Sequence, residues 1–222
     1  MRDFPVFPTE YGVAGLVLKE IPYRETAYIT IHDALPECLD PLLKECVSFC
    51  RMAGAEKIYV KGNAELTRYP LYCKVLQMNG TAWVDREKLE HLFPVTEATV
   101  SQWRTIYNEK MRGVDNAATL ETRDEKKILE SGGAYFVHRD RELLGIGWME
   151  GNELLALVST VPGMGETVAR TLFTTVNEDR IVLTVVSTNQ RAIRLYERMG
   201  FVKIGEVSRW YRVWEDRNEN QN

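Results

Sequence analysis

The stretch STNQRAIRLYERMGF, residues 187–201, decides the reading of this chain. Ser187, Thr188 and Asn189 are residue types that cap helix N-termini. Ala192, Tyr196 and Met199 then recur at helical spacing on one face, flanked by Ile193 and Leu195. Gly200 supplies a stop and Phe201 opens a strand. Taken alone, Tyr196 reads as a core tyrosine. Just upstream, IVLTVVS (181–187) is apolar almost throughout and reads as a buried strand. Before it, ELLALVS (153–159) is a strand, and VPGMGETVARTLFTTV (161–176) is a Gly-rich turn feeding a helix. The unpaired N–H groups and dipole of a helix start favour an anion there. Gly163 and Gly165 would let the backbone approach a diphosphate, although two glycines also suit an ordinary strand-to-helix turn.

Working outward, AYFVHR (134–139) and ELLGIGWM (142–149) precede the 153–159 strand. Their joints, Asp140-Arg141 and Gly151-Asn152, are short enough to favour an antiparallel meander. Two helices are expected earlier, from Thr96 to Gly113 with Val100, Trp103, Ile106 and Tyr107 inward, and over 124–132. FVKIGEVSRWYRVW (201–214) gives one or two last strands. The first third reads strand (11–22), strand (25–34), helix (Asp40-Pro41 to Gly54), strand (56–62), with a turn at Ile21–Arg24. Tyr69-Pro70 interrupts any helix within 65–84, residues 85–92 have a helical pattern, and Phe93-Pro94 breaks it. The expected domain boundary therefore falls between 92 and 93. Helix 40–54 with strand 56–61 has the same order and size as helix 166–177 with strand 181–187, a loose internal repeat.

Composition narrows the function classes. The 222 residues carry 28 Lys+Arg against 32 Asp+Glu, a formal charge of −4, with 45% hydrophobic residues. That balance fits a globular protein and argues against a general nucleic-acid or anionic-membrane binder. No apolar run approaches the ~20 residues that cross a bilayer, and the start lacks a secretory layout. A cytoplasmic location is the expectation. Cys38, Cys46, Cys50 and Cys73 show no CxxC and no His at zinc spacing, so reduced core thiols and no metal are expected.

Residues 93–222 resemble the GNAT superfamily of acyl-CoA-dependent N-acyltransferases. Asn189, Ala192, Leu195-Tyr196 and Gly200-Phe201 match the N-x-x-A-x-x-L-Y-x-x-x-G-F signature of that family. Gly163 and Gly165 match its pyrophosphate loop, while Thr160 stands where Gln or Arg is usual. The resemblance implies an α/β (α+β) acyl-CoA N-acyltransferase fold, a mixed, mostly antiparallel sheet flanked by helices. The first half, 1–92, resembles a degenerate copy lacking both signatures, so a tandem arrangement is implied.

The same resemblance implies acetyl-CoA as co-substrate and a small amine, amino acid or peptide as acceptor. Free backbone groups of Leu157, Val158 and Ser159 would pair with the pantetheine arm as an added strand does, and one amide there would face the thioester carbonyl. Gly163, Met164, Gly165, Glu166 and Thr167 would hold the diphosphate, with Thr167 or Thr171 adding a hydroxyl. Asn189 would cap its helix and reach the cofactor arm. Tyr196 is the candidate general acid. A phenol near pKa ~10 lies close to a thiol near ~8.5, whereas a carboxylate is ionised at neutral pH. Glu153 matches the position where some relatives carry a basic carboxylate; Glu150, His138 or a water chain remain alternatives. Trp148, Trp210 and Tyr211 either border the acceptor cleft or fill the core. Arg191 and Arg194 either attract the 3′-phosphate of the cofactor or form a solvated face. A non-catalytic acyl-CoA binder is the competing reading, and a homodimer is left open.

Overall fold

The computed structural model describes residues 5–62, 66–81 and 90–215. Its strands are β1 (Val6–Thr9), β2 (Gly12–Val17), β3 (Thr26–Asp33), β4 (Lys57–Gly62), β5 (Leu71–Thr81), β6 (His91–Pro94), β7 (Ala134–Arg139), β8 (Glu142–Glu150), β9 (Glu153–Ser159), β10 (Arg180–Val186) and β11 (Val202–Glu215). Its helices are α1 (Ile21–Arg24), α2 (Leu39–Met52), α3 (Val100–Met111), α4 (Asp124–Ser131), α5 (Gly165–Phe173) and α6 (Gln190–Arg198).

The chain forms two compact units, 1–74 with 208–222, and 75–207. This division does not follow the 92/93 line. Strand pairing is the reason. Val75–Thr81 of β5 pairs antiparallel with the whole of β10, in the second unit. Arg209–Glu215 of β11 pairs antiparallel with β4, in the first. Phe93 and Pro94 do not break a helix but end β6, which pairs with β7. The helical pattern expected over 85–92 lies mostly outside the described residues.

In the first unit β1, β2 and β3 are antiparallel, and β3 runs parallel to β4. α2 covers one face of this sheet. Leu39, Leu42, Leu43, Cys46 and Cys50 recur at three- and four-residue steps, so they line one stripe. They pack on Leu16, Ile29, Ile58, Val60 and Tyr211. None of the four cysteines forms a disulfide among the described residues. Burial pushes the Cys46 thiol up to about 11 and that of Cys50 to about 12; such thiols are poor nucleophiles. Ile21–Arg24, expected as a plain turn, is one turn of helix that exits through Glu25 at φ 57°.

In the second unit β7 to β9 form the antiparallel run that the short joints foretold, β6 adds to it antiparallel to β7, and β10 lies parallel to β9. α3 and α4 supply Val100, Trp103, Tyr107 and Ile128 to one face. α5 and α6 supply Ala169, Leu172, Phe173, Ile193 and Tyr196 to the other. Gly147 lets α5 come close: a Cβ there would lie 2.3 Å from Leu172 Cδ2. The segment 201–214 proves to be a single strand, β11, whereas β5 was not anticipated. The architecture is thus a mixed, mostly antiparallel sheet flanked by helices. Among the described residues no helix is long and apolar enough to cross a membrane.

Candidate active site

The parallel ladder between β9 and β10 stops almost as soon as it starts. Glu153 and Leu154 pair with Val182 and Leu183, and no later residue of β9 does. The cause is visible on the other edge of β9. Trp148 of β8 faces Ala156, but the next residue, Met149, faces Leu154. Leu155 is therefore an extra residue, a β-bulge, and a bulge bends its strand. Leu155, Ala156 and Val158 turn to the α3/α4 side, while Leu154 and Leu157 turn to the α5/α6 side.

Peptide groups on β9 alternate between its two edges. The Thr160 N–H donates to the Leu144 carbonyl at 2.9 Å, which sets the phase. In the register of Ile146 with Val158, the peptide groups of Val158 face β8, and those of Leu157 and Ser159 face the gap towards β10. A Cβ on Gly145 would lie 2.3 Å from the Val158 carbonyl oxygen, which agrees. Of the three residues expected to offer free backbone groups, Val158 is thus the exception, because its groups belong to the β8 ladder.

β9 leads into the turn Thr160–Met164 and then α5. Gly163 has φ 85°, a left-handed conformation that glycine adopts without strain. No side chain caps α5, whose first bonded amide is Val168 N–H, donating to Met164 O at 2.9 Å. The amides of Gly165, Glu166 and Thr167 therefore open on the helix start. Glu166 places a carboxylate there, but Arg170 holds it at 2.9 and 3.0 Å. The Thr160 hydroxyl donates to the Leu143 carbonyl, so it is committed to β8. Thr171 is buried and its hydroxyl accepts the Glu90 N–H at 3.3 Å. It cannot add the hydroxyl contact expected of it; Thr167 remains for that role.

α6 stands beside this turn, since a Cβ on Gly165 would lie 3.2 Å from Leu195 Cδ2. Asn189 caps α6 by accepting the Ala192 N–H at 3.1 Å. The other end closes as a Schellman motif. Gly200, at φ 87°, donates to Glu197 O at 3.0 Å, and Phe201 N–H donates to Tyr196 O at 2.9 Å. The Phe201 ring sits 5.7 Å from the Tyr196 ring. Gly80 makes room for it, because a Cβ there would fall 2.5 Å from the Phe201 ring. Gly200 and Phe201 thus fix the phenol that precedes them. Tyr196 is 7% exposed, and burial raises its pKa above the ordinary tyrosine value. Among the described residues the only fully buried side-chain polar atom without a partner is His138 Nδ1, so the Tyr196 hydroxyl is not sealed in.

The remaining candidates separate. Glu153 is exposed at the start of β9, and the bulge puts it on the α3/α4 side, opposite Leu157. Glu150 faces it across the β8–β9 hairpin. His138 lies two strands from β9 and three residues beyond the level of Leu157, through Gly147 and Tyr135. Ladder spacing makes that roughly 14 Å. Trp148 is a core residue whose Nε1 donates to Ser131 Oγ at 2.9 Å. Trp210 and Tyr211 pair with β4 and belong to the first unit. A hollow of about 520 Å³ in the first unit, lined by Arg51, Met52 and Trp214 among others, contains no phenol, imidazole or open strand edge. Among the described residues no group of three His, Cys, Asp or Glu side chains is placed to hold a metal.

A bulged strand splayed from its parallel neighbour, opening on an uncapped glycine turn and a helix bearing a tyrosine, defines an acyl-CoA N-acyltransferase fold. Residues 160–211 match the family model described as FR47-like protein. Solved structures agree over nearly the whole chain. A functionally unknown conserved protein from Staphylococcus epidermidis superposes with TM-score 0.59 at 10% identity, covering 96% of this chain and 94% of that one. A GCN5-related N-acetyltransferase from Kribbella flavida gives 0.57 at 10%, covering 96% and 90%. An acetyltransferase of the GNAT family from Colwellia psychrerythraea gives 0.52 at 12%, covering 93% and 84%. No curated protein matches the chain in sequence. The chain shares the fold of these GNAT structures, and its 160–211 segment is similar to FR47-like proteins.

Proposed function

We propose that the second unit is an N-acetyltransferase that moves the acetyl group of acetyl-CoA to a primary amine of a small molecule, amino acid or peptide. The observation that carries this reading is the early end of the β9–β10 ladder, which leaves the peptide groups of Leu157 and Ser159 facing an open gap. Those groups suit an extended amide-bearing arm, which would add to β9 as a strand does. Gly165, Glu166 and Thr167 suit the diphosphate, because their amides open α5 and the Glu166 charge is already offset by Arg170. Gly163 shapes the turn before them, and Met164, whose N–H is spent on Val161 O at 3.2 Å, lines it without offering its amide.

The Leu157 N–H polarises the thioester carbonyl. The amine nitrogen attacks the carbonyl carbon, the carbon–sulfur bond breaks, and the sulfur takes the proton of the Tyr196 hydroxyl. Tyr196 recovers a proton from solvent. The proton lost by the amine passes to water and on to solvent, because the bulge turns Glu153 to the face of β9 opposite Leu157. A phenol is protonated at neutral pH, so the donor is present when the thiolate forms; burial, which raises its pKa, makes it a weaker acid than a free tyrosine. Asn189 holds the start of α6 and with it the height of Tyr196. The first unit is the degenerate half of a tandem pair, and the location is the cytoplasm.

Thiol release from acetyl-CoA across a panel of amines tests this. Tyr196→Phe is expected to lower kcat by about 10²-fold or more, the usual worth of a positioned general acid, with CoA affinity unchanged. Equal rates would remove Tyr196 from the mechanism. The second reading, a binder without turnover, is favoured by one feature. Thr160, which replaces Gln or Arg, spends its hydroxyl on Leu143. CoA binding with no thiol release from any amine would support it.

A further inference from the structure

α6 carries a stripe of basic side chains that the reaction above does not use. Arg191, Arg194 and Arg198 are all exposed. None of them forms an ion pair or hydrogen bond among the described residues, in a chain whose formal charge is −4. The acidic residue between them, Glu197, is held instead by Lys203 at 3.1 Å.

Helical geometry places this stripe. At about 100° per residue, Arg191 and Arg198 stand roughly 40° and 60° to one side of Leu195, and Arg194 roughly 100° to that same side. Tyr196 and Ile193 occupy the opposite, buried side. Leu195 is the residue against Gly165, the first residue of α5. The arginines therefore flank the helix start where the diphosphate is expected, along about 10 Å of α6. The only basic residue of α5, Arg170, is already engaged by Glu166. Free positive charge beside that helix start comes from α6.

We propose that Arg191, Arg194 and Arg198 dock a further phosphate of the nucleotide, the one on the ribose of CoA, and so discriminate CoA from dephospho-CoA. The inference rests on the acyl-CoA reading of the second unit. An arginine fork matches a phosphate monoester better than a single amide does, and side chains without carboxylate partners need break no ion pair to reach it.

Calorimetry with CoA and with dephospho-CoA, on the wild type and on the Arg191→Gln/Arg194→Gln/Arg198→Gln variant, tests it. The wild type is expected to bind CoA about tenfold more tightly, the worth of one charge-assisted contact set. The triple variant is expected to bring that ratio to about one, leaving the Kd of dephospho-CoA unchanged. If the triple variant melts early, Arg194→Gln alone should still lower the ratio. Equal affinity of the wild type for both compounds overturns the stripe and leaves the cofactor reading standing. Binding of neither compound overturns both. An unchanged ratio in the triple variant, with loss of binding to a short fluorescent RNA, overturns the proposal in favour of a nucleic-acid surface.

Discussion

In the first unit β3, α2 and β4 follow one another as β9, α5 and β10 do in the second, and both strand pairs are parallel. The first pair is zipped from Thr26–Lys57 to Thr30–Lys61, whereas the second parts after Leu154–Leu183. A single inserted residue accounts for the contrast. Leu155 bulges β9 within the stretch where β10 would have paired, while the irregularity of β3 at His32 lies beyond its paired stretch. The helix starts differ in the same sense. α5 opens on Gly163 and Gly165, with its one first-turn carboxylate held by Arg170. α2 follows a turn at Pro36–Cys38 and has Glu37 and Asp40 at its start, with Asp40 on Arg68. A closed ladder and an acidic helix start leave the first unit without the edge amides or the anion site of the second, so one nucleotide per chain is expected.

The strongest way to break the comparison is to separate the halves. Deleting residues 1–92 removes Val75–Thr81, the entire antiparallel partner of β10, and bares that edge. It also strands Arg209–Glu215 without β4. Insoluble or inactive protein is the expected outcome, read as soluble yield and a cooperative melt. A soluble, fully active 93–222 fragment would show that the exchanged strands are dispensable.

Prolines sharpen it further, because each removes one N–H from a known edge. Leu157→Pro takes an N–H that faces the gap and is expected to weaken CoA binding about tenfold with a small loss of stability. Val158→Pro takes an N–H from the β8 ladder and is expected to cost clearly more stability than Leu157→Pro. Calorimetry and urea unfolding distinguish the two. A reversed pattern would mean that the phase assigned to β9 is off by one residue. Binding of a second CoA per chain would mean that the first unit opens after all.

How much of this contrast is legible in the sequence follows from which features are local. The α6 string is legible because its parts act within one helix: Asn189 caps it, Gly200 ends it, and Phe201 contacts Tyr196 five residues back along the same motif. The meander is legible because its joints are two residues long. The bulge is not, since ELLALVS alternates as well with Leu155 in register as out of it, and only pairing with Trp148 and Met149 reveals the slip. β5 is illegible for a related reason. From Lys74 to Gln77 its residues are all half-buried, so neither alternation nor a continuous apolar run announces a strand. The exposure of Arg191, Arg194 and Arg198 can be read from helical spacing, but their place beside Gly165 cannot, because it depends on how α6 packs on α5.

The smallest expected effect concerns the one buried tyrosine in each unit whose pKa burial raises most, Tyr28 in the first and Tyr196 in the second. Both are raised in the folded state, so each holds a proton that the unfolded chain gives up near pH 10. Their contribution is whole below that pH and declines as pH rises through the window above it. At pH 11 each forfeits at most about 1.4 kcal/mol. Tyr28→Phe and Tyr196→Phe should each flatten the fall of unfolding free energy between pH 9 and 11 in urea titrations, by comparable amounts. If only Tyr28→Phe does so, the Tyr196 phenol ionises in the folded protein as freely as in the unfolded chain. It would then meet solvent more openly than its 7% exposure implies, as a hydroxyl at the mouth of the gap would.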